Sequence, residues 1–124
     1  MITQHFRCVD GCRLAYWDVG RGPTIVFSHG LLLSKAMYRD QIDALSADFR
    51  CVAFDHPGQG ESDPLPGSVT SIDTCADRAI ALIEGLDLAP VHFVGLSMGG
   101  YTGMRVAARR NDLVASLTNL ATTA

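Results

Sequence analysis

The residues Gly95-Leu96-Ser97-Met98-Gly99-Gly100 lie between a short apolar run and a stretch of helical character. The run Val91-His92-Phe93-Val94 is typical of a strand that is buried on both faces of a sheet. A Gly-x-Ser-x-Gly sequence in this setting predicts a sharp strand-to-helix turn with Ser97 at its tip. Gly95 and Gly99 are expected because a side chain there would collide with the neighbouring strand or helix.

Further strand-like runs precede and follow this turn. The runs 3–9 and 12–19 flank Asp10-Gly11, a pair typical of the two-residue turn of a hairpin. Additional strands are predicted at 24–28, 50–54 and 113–120, the last as a buried strand. Strand, helix, strand order implies parallel pairs with right-handed crossovers. The pattern predicts a single α/β domain over residues 1–124, in which an N-terminal antiparallel hairpin precedes a mostly parallel sheet with helical crossovers.

Three helices are predicted between these strands. Ser34 is the expected cap of the first helix, and Thr70 with Asp73 is the expected start of the second, which ends at Gly85. The third helix follows Ser97 directly. These crossovers place the turn at Ser97 at the carboxyl end of a parallel strand.

The composition excludes several classes of function. The chain has 124 residues, 48% of them apolar, and ten basic against thirteen acidic residues give a net charge of −3. This charge offers no basic surface to nucleic acid, and no apolar run approaches the ~20 residues of a membrane span. The first five residues lack a leader pattern, so a cytoplasmic location is expected. The four cysteines fit no metal spacing and are predicted to be buried free thiols, with no metal site.

A glycine-rich turn between a strand and a helix is also found in dinucleotide-binding proteins. In the Gly-x-Gly-x-x-Gly form of that motif, the second glycine would fall at Ser97, so the motif fails. No acidic residue ends a strand about 20 residues after Gly95, where a ribose ligand is expected. The serine is therefore interpreted as a nucleophile.

Two backbone N–H groups are candidates for an oxyanion hole. The Met98 N–H lies at the predicted helix N-terminus, where negative charge is favoured. The second donor is expected in the loop after the strand 24–28, and the Leu31 N–H is the candidate. A developing oxyanion beside Ser97 would be stabilised by both groups.

Three landmarks occur in order along the chain, and together they resemble the α/β-hydrolase fold superfamily: His29-Gly30, Asp55-His56-Pro57-Gly58-Gln59-Gly60-Glu61-Ser62, and Gly95-Leu96-Ser97-Met98-Gly99-Gly100. The resemblance is to its serine branch of esterases, lactonases such as enol-lactone hydrolases, and C–C hydrolases. It implies that Ser97 is the nucleophile, that Leu31 and Met98 form the oxyanion hole, and that no cofactor is needed. The haloalkane dehalogenase and epoxide hydrolase branches place Asp at the nucleophile position.

The remaining landmark residues are expected to be structural. His29 and Gly30 shape the oxyanion loop, while Asp55, Gly58 and Gly60 form a tight turn. Leu31, Leu32, Leu33 and Met98 either line an acyl pocket or belong to the core, and the sequence leaves both alternatives open.

The residues that would activate Ser97 do not follow it. In this fold the acid and then the histidine come after the serine, but only Asp112 is acidic beyond Ser97 and no histidine occurs there. The chain thus resembles the N-terminal half of such a hydrolase, without lid or C-terminal triad residues. We expect hydrolysis of a small ester or lactone completed by other residues, with C–C bond hydrolysis as the alternative. The rival from another class is a non-catalytic half-domain that pairs with a complementary chain or with its own copy through strand 113–120.

Overall fold

The computed structural model describes residues 2–65 and 70–122. Within these residues six strands form one sheet: β1 Gln4–Val9, β2 Cys12–Val19, β3 Thr24–Ser28, β4 Arg50–Phe54, β5 Val91–Leu96 and β6 Val114–Leu120. Three α-helices accompany them: α1 Arg39–Leu45, α2 Ile72–Gly85 and α3 Met98–Arg109. Two 3₁₀ turns, Lys35–Tyr38 and Asn111–Leu113, precede α1 and β6.

The sheet is mixed and has the order β1-β2-β4-β3-β5-β6. β1 and β2 pair antiparallel, with Val9 opposite Cys12 as the Asp-Gly turn predicts. β2 also runs antiparallel to β4, whereas the pairs β3–β4, β3–β5 and β5–β6 are parallel. The predicted α/β fold, a hairpin followed by a mostly parallel sheet, is confirmed.

Helices cover both faces of the central strands. On one face, Ile25 and Phe27 of β3 pack in a cluster with Ile42 of α1. On the other face, Val26 and Phe93 pack in a cluster with residues of α2 and α3. Because side chains alternate along a strand, β3 contributes to both cores and all five of its residues are buried. Each fully buried large side chain contributes roughly 1.5–3 kcal/mol to the burial term.

Two predicted helix starts and three strands differ in detail: β1 begins one residue later than predicted and β5 extends to Leu96, and the others are as follows. Ser34 does cap the first helical segment, but its first turn is 3₁₀. The cap of α2 is Ser71 rather than Thr70, because Ser71 and Thr74 exchange the two hydrogen bonds of a capping box. The strand predicted at 113–120 begins one residue later and is mostly exposed, since it lies at the edge of the sheet in the described part of the chain.

The cysteines are free thiols, but one of them is not buried. Cys8 is exposed because it lies on the outward face of the edge strand β1, which corrects the expectation for that residue. Cys12, Cys51 and Cys75 are buried, and burial raises the pKa of Cys51 and of Cys75 to about 11. Those two thiols therefore stay protonated at neutral pH. None of the helices within residues 2–65 and 70–122 has the length and apolar composition to cross a membrane.

Candidate active site

Ser97 occupies the tip of the turn between β5 and α3. Its backbone has φ 50° and ψ −113°, a conformation that is uncommon outside glycine. The Ser97 N–H donates to Leu120 O at 2.9 Å, and Ser97 O accepts from Tyr101 N–H at 3.0 Å. The side chain is exposed and makes no capping bond to α3. The hydroxyl is thus held at the carboxyl edge of the sheet by a backbone bonded on both sides.

The flanking glycines allow β5, α3 and β3 to approach closely. A Cβ atom at Gly95 would collide with the backbone of Gly99 and Gly100. A Cβ atom at Gly99 would lie 2.5 Å from the carbonyl carbon of Ser28 and 2.7 Å from His29 O. Both contacts are with backbone, which has little freedom to move away. A side chain at position 95 or 99 would therefore collide with neighbouring backbone, as predicted from the sequence.

The loop after β3 presents the Leu31 N–H. The Leu33 N–H donates to Gly30 O at 3.1 Å, and Leu32, between them, has φ 61°. His29 Nδ1 also lies 2.7 Å from Gly30 O. Since the N–H and C=O of a trans peptide point in opposite directions, the Leu31 N–H points away from both bonds. The Leu31 N–H stays a candidate donor to an oxyanion.

His29 and His56 form a buried, neutral pair behind this loop. The His56 N–H donates to His29 Nε2 at 3.0 Å, so the proton of His29 is on Nδ1 and is donated to Gly30 O. His56 Nε2 lies 2.8 Å from Ser28 Oγ. Burial lowers the pKa of His29, and burial together with the neighbouring His29 lowers the pKa of His56 to about 3. This geometry favours a structural role for both rings.

Asp55 and Lys35 form an ion pair that the sequence did not reveal. Lys35 Nζ lies 2.7 Å from Asp55 Oδ2, and both side chains are almost completely buried. The Asp55 carboxylate also accepts the Lys35 N–H at 2.8 Å and the Glu61 N–H at 2.9 Å. A Cβ atom at Gly60 would strike this carboxylate, and Gly60 and Gly58 both have positive φ. The sequence holds one indication of this pair: Lys35 comes after β3 and Asp55 comes directly after β4, so both lie at the same edge of the sheet.

Gln59 is a second residue that sequence reasoning passed over. Its Oε1 accepts the Leu32 N–H at 2.8 Å. Its Nε2 lies 4.0 Å from Met98 Sδ. The Gln59 side chain therefore connects the loop after β3 to Met98, the first residue of α3.

A cavity of about 480 Å³ opens between these elements. It is lined by Leu31, Leu32, Pro57, Gly58, Gln59, Thr70, Ser71, Ile72 and Met98. Leu31 is 62% exposed and Leu32 85% exposed. Leu31, Leu32 and Leu33 therefore lie outside the core, and Leu31, Leu32 and Met98 line this cavity. That it binds an acyl group stays a prediction.

Residues 23–124 match the family model for the alpha/beta hydrolase fold. The chain belongs to the α/β-hydrolase family. Curated relatives agree with this assignment. RutD of Agrobacterium fabrum is 37% identical over 92 residues, which are 74% of this chain and 35% of RutD. The 3-oxoadipate enol-lactonase 1 of Acinetobacter baylyi is 33% identical over 66% of this chain and 30% of its own length.

Solved structures superpose on most of this chain. The enol-lactonase from Burkholderia xenovorans LB400 is 34% identical with a TM-score of 0.83, covering 89% of this chain and 44% of that one. Cfl2 from Burkholderia cenocepacia is 32% identical with a TM-score of 0.90, covering 96% of this chain and 41% of that one. This α/β-hydrolase chain thus spans less than half the length of these relatives.

The acidic residue that follows Ser97 in the described part of the chain lies at the other end of the sheet. Asp112 precedes β6, at the amino end of the sheet, and is paired with Arg110 at 3.0 Å. Ser97 follows β5 at the opposite, carboxyl end. No histidine follows Ser97 in the chain. The described site combines an exposed serine, two candidate N–H donors and a cavity.

Proposed function

We propose that this chain supplies the nucleophile half of a serine hydrolase that acts on a small carboxylic ester or lactone. The observation that carries the proposal is the conformation of Ser97: an exposed residue at positive φ, directly before α3, whose first residue Met98 lines the cavity. The chain acts as one domain in this proposal. The acid and the histidine come from a C-terminal segment outside it.

The proposed reaction proceeds through an acyl-enzyme. Ser97 Oγ attacks the ester carbonyl carbon while the histidine of the added segment takes the hydroxyl proton. The N–H groups of Leu31 and Met98 stabilise the tetrahedral oxyanion, assisted by the positive end of the α3 dipole. The alcohol leaves with the proton from the histidine. Water then attacks the acyl-Ser97 ester by the same route and releases the acid.

The relatives' names cover several kinds of bond: RutD is named as a putative carbamate hydrolase, and a lactone or ester is supported by the enol-lactonases. Two of the similar proteins are named as enol-lactonases, one from Acinetobacter baylyi and one from Burkholderia xenovorans. Hydrolysis of a C–C bond by the same half-site is the alternative within this chemistry. The rival of another class is a half-domain without catalysis, in which the elbow is retained only as architecture.

Labelling with a fluorophosphonate probe separates catalysis from architecture. The full chain is labelled alone and together with a C-terminal α/β-hydrolase segment chosen to carry an acid and a histidine. We expect covalent labelling of the completed protein at Ser97, located by peptide mass spectrometry. The Ser97→Ala variant is the matched control and is expected to remain unlabelled.

The result distinguishes the two classes of function. A completed protein that has the circular dichroism spectrum of a folded α/β domain but does not label at Ser97 would contradict the catalytic proposal and favour the half-domain. Label on another residue, retained in Ser97→Ala, would also contradict it. The rates of hydrolysis of a lactone and of a β-diketone by the completed protein then separate the two reactions. Faster hydrolysis of the lactone favours ester chemistry, and faster hydrolysis of the β-diketone favours C–C cleavage.

A further inference from the structure

We propose that Gln59 determines substrate specificity, by donating a hydrogen bond from Nε2 to an oxygen of an uncharged acyl group. The inference rests on the proposed function and goes beyond it, because it names a residue outside the expected triad and oxyanion hole. Gln59 lines the cavity and lies between the oxyanion loop and α3.

The orientation of the Gln59 amide is fixed by the backbone. The Leu32 N–H donates to Oε1 at 2.8 Å. A flipped amide would bring its NH₂ group against this N–H, placing two donors together. Leu32 is itself held at φ 61°, so its N–H direction belongs to the turn. The NH₂ group must therefore point away from the loop, on the side of Met98.

On that side the amide donor meets a weak partner. Met98 Sδ, at 4.0 Å, is the acceptor that the described residues offer to Nε2, and a thioether sulfur is a weak acceptor. Gln59 is half-buried and lines the cavity, so its amide donor is open to a ligand there. A substrate oxygen placed in the cavity would satisfy the Gln59 donor and displace the sulfur contact.

The other residues that line the cavity favour an uncharged acyl group. The residues that line the cavity in the described part of the chain are all uncharged, and Leu31, Leu32, Pro57, Ile72 and Met98 are apolar. A carboxylate entering this cavity would lose its hydration without gaining a cation, which is strongly unfavourable. An uncharged acyl group with an ether or carbonyl oxygen matches both the lining and the directed donor.

The test compares two esters of equal size in the completed protein described above. The p-nitrophenyl esters of methoxyacetic and butanoic acid differ by one ether oxygen in place of a methylene group. Gln59→Glu keeps an acceptor for the Leu32 N–H and removes the donor, while Gln59→Leu removes both without adding charge. Gln41→Glu, at an exposed position of α1, is the control for an added carboxylate.

We expect the ratio of kcat/KM for methoxyacetate to that for butanoate to fall about three- to tenfold in both Gln59 variants, the size of one neutral hydrogen bond. The ratio in Gln41→Glu should equal that of the unmodified protein. Using the ratio cancels the different intrinsic reactivity of the two esters.

Other outcomes overturn the inference in distinguishable ways. An unchanged kcat/KM ratio in Gln59→Leu would exclude the donor role of Gln59. If Gln59→Glu alone changed the ratio, the change would come from the added carboxylate charge. An equal loss on both esters would assign Gln59 to positioning the Leu32 loop instead. A protein that neither labels at Ser97 nor hydrolyses either ester would overturn the proposed function, and the role of Gln59 with it.

Discussion

His29 and His56 are buried histidines, and the hydrogen bonds of His29 fix the position of its proton. His29 can accept the His56 N–H only while its Nε2 is unprotonated. His56 is fully buried beside His29, and protonation would place a charge in the protein interior. Both rings are therefore neutral in the folded protein, and the bond from the His56 backbone N–H to His29 Nε2 depends on that neutrality.

Stability is expected to fall as the pH drops below about 6.5. The pKa of His56 is about 3 in the folded protein and 6.5 in the unfolded chain. Between these values the unfolded state binds a proton that the folded state rejects, so acid favours unfolding. His56 alone should contribute a loss of about 1.4 kcal/mol per pH unit between pH 6 and pH 5. The measurement is urea denaturation across this range.

A His56→Gln variant tests this assignment. It removes the titrating ring and retains a side-chain amide near Ser28 Oγ. The pH slope of its free energy of unfolding should be shallower by about 1.4 kcal/mol per pH unit. Equal slopes in the two proteins would show that His56 does not titrate in this way.

At the scale of elements, the site is built from the segments that follow β3, β4 and β5. The Lys35–Asp55 pair joins the first two, and Gln59 joins the loop after β4 to the loop after β3 and to α3. Because the carboxyl ends of parallel strands lie at one edge of the sheet, the three segments meet there. The geometry of the candidate oxyanion hole thus depends on links between loops as well as on the strands.

Breaking the buried ion pair should be costly. Lys35→Met leaves the Asp55 carboxylate buried without its cation, and we expect a loss of about 3–5 kcal/mol in the free energy of unfolding. The double variant Lys35→Met/Asp55→Asn should recover part of this loss, since no unpaired charge remains. Urea denaturation of the single and double variants gives the coupling energy.

A surface pair provides the matched control. Arg109 and Asp77 are each 41% exposed, and Arg109→Met should cause a far smaller loss than Lys35→Met. Equal losses at the two sites would contradict a special contribution from the buried pair.

The sequence allows the strands to be predicted well and the links between loops poorly. β2, β3 and β4 have the predicted bounds, because apolar runs bordered by glycine, proline or aspartate leave little freedom of assignment. The start of α2 was misplaced by one residue, since Thr70 and Ser71 are both good caps and side-chain bonding decides between them. Lys35 and Gln59 were missed because polar residues in loops are usually solvated, and only the folded chain brings them to Asp55 and Leu32.

The two edge strands of the sheet differ in the charge and exposure of their side chains. β1 begins the sheet with a hairpin partner and carries the exposed Arg7. β6 ends it among the described residues, with side chains exposed on both faces and Leu120 44% exposed. An edge with few charges and open backbone groups favours pairing with another strand.

The chain by itself is expected to associate through β6. Its apparent mass in size-exclusion chromatography should rise with protein concentration, and Thr118→Lys, which adds charge to this edge, should reduce the association. Gln41→Lys adds the same charge on α1 and should leave the association unchanged. A monomer at every concentration, with or without the substitution, would count against pairing through β6.

The backbone angle of Ser97 has a consequence for any effort to evolve this protein. Glycine adopts φ 50° and ψ −113° more readily than serine does. A selection that rewards only solubility or yield would therefore enrich Ser97→Gly, discarding the hydroxyl to relax the chain. Serine at this position is unfavourable for folding, and a library screened without an activity assay would lose it.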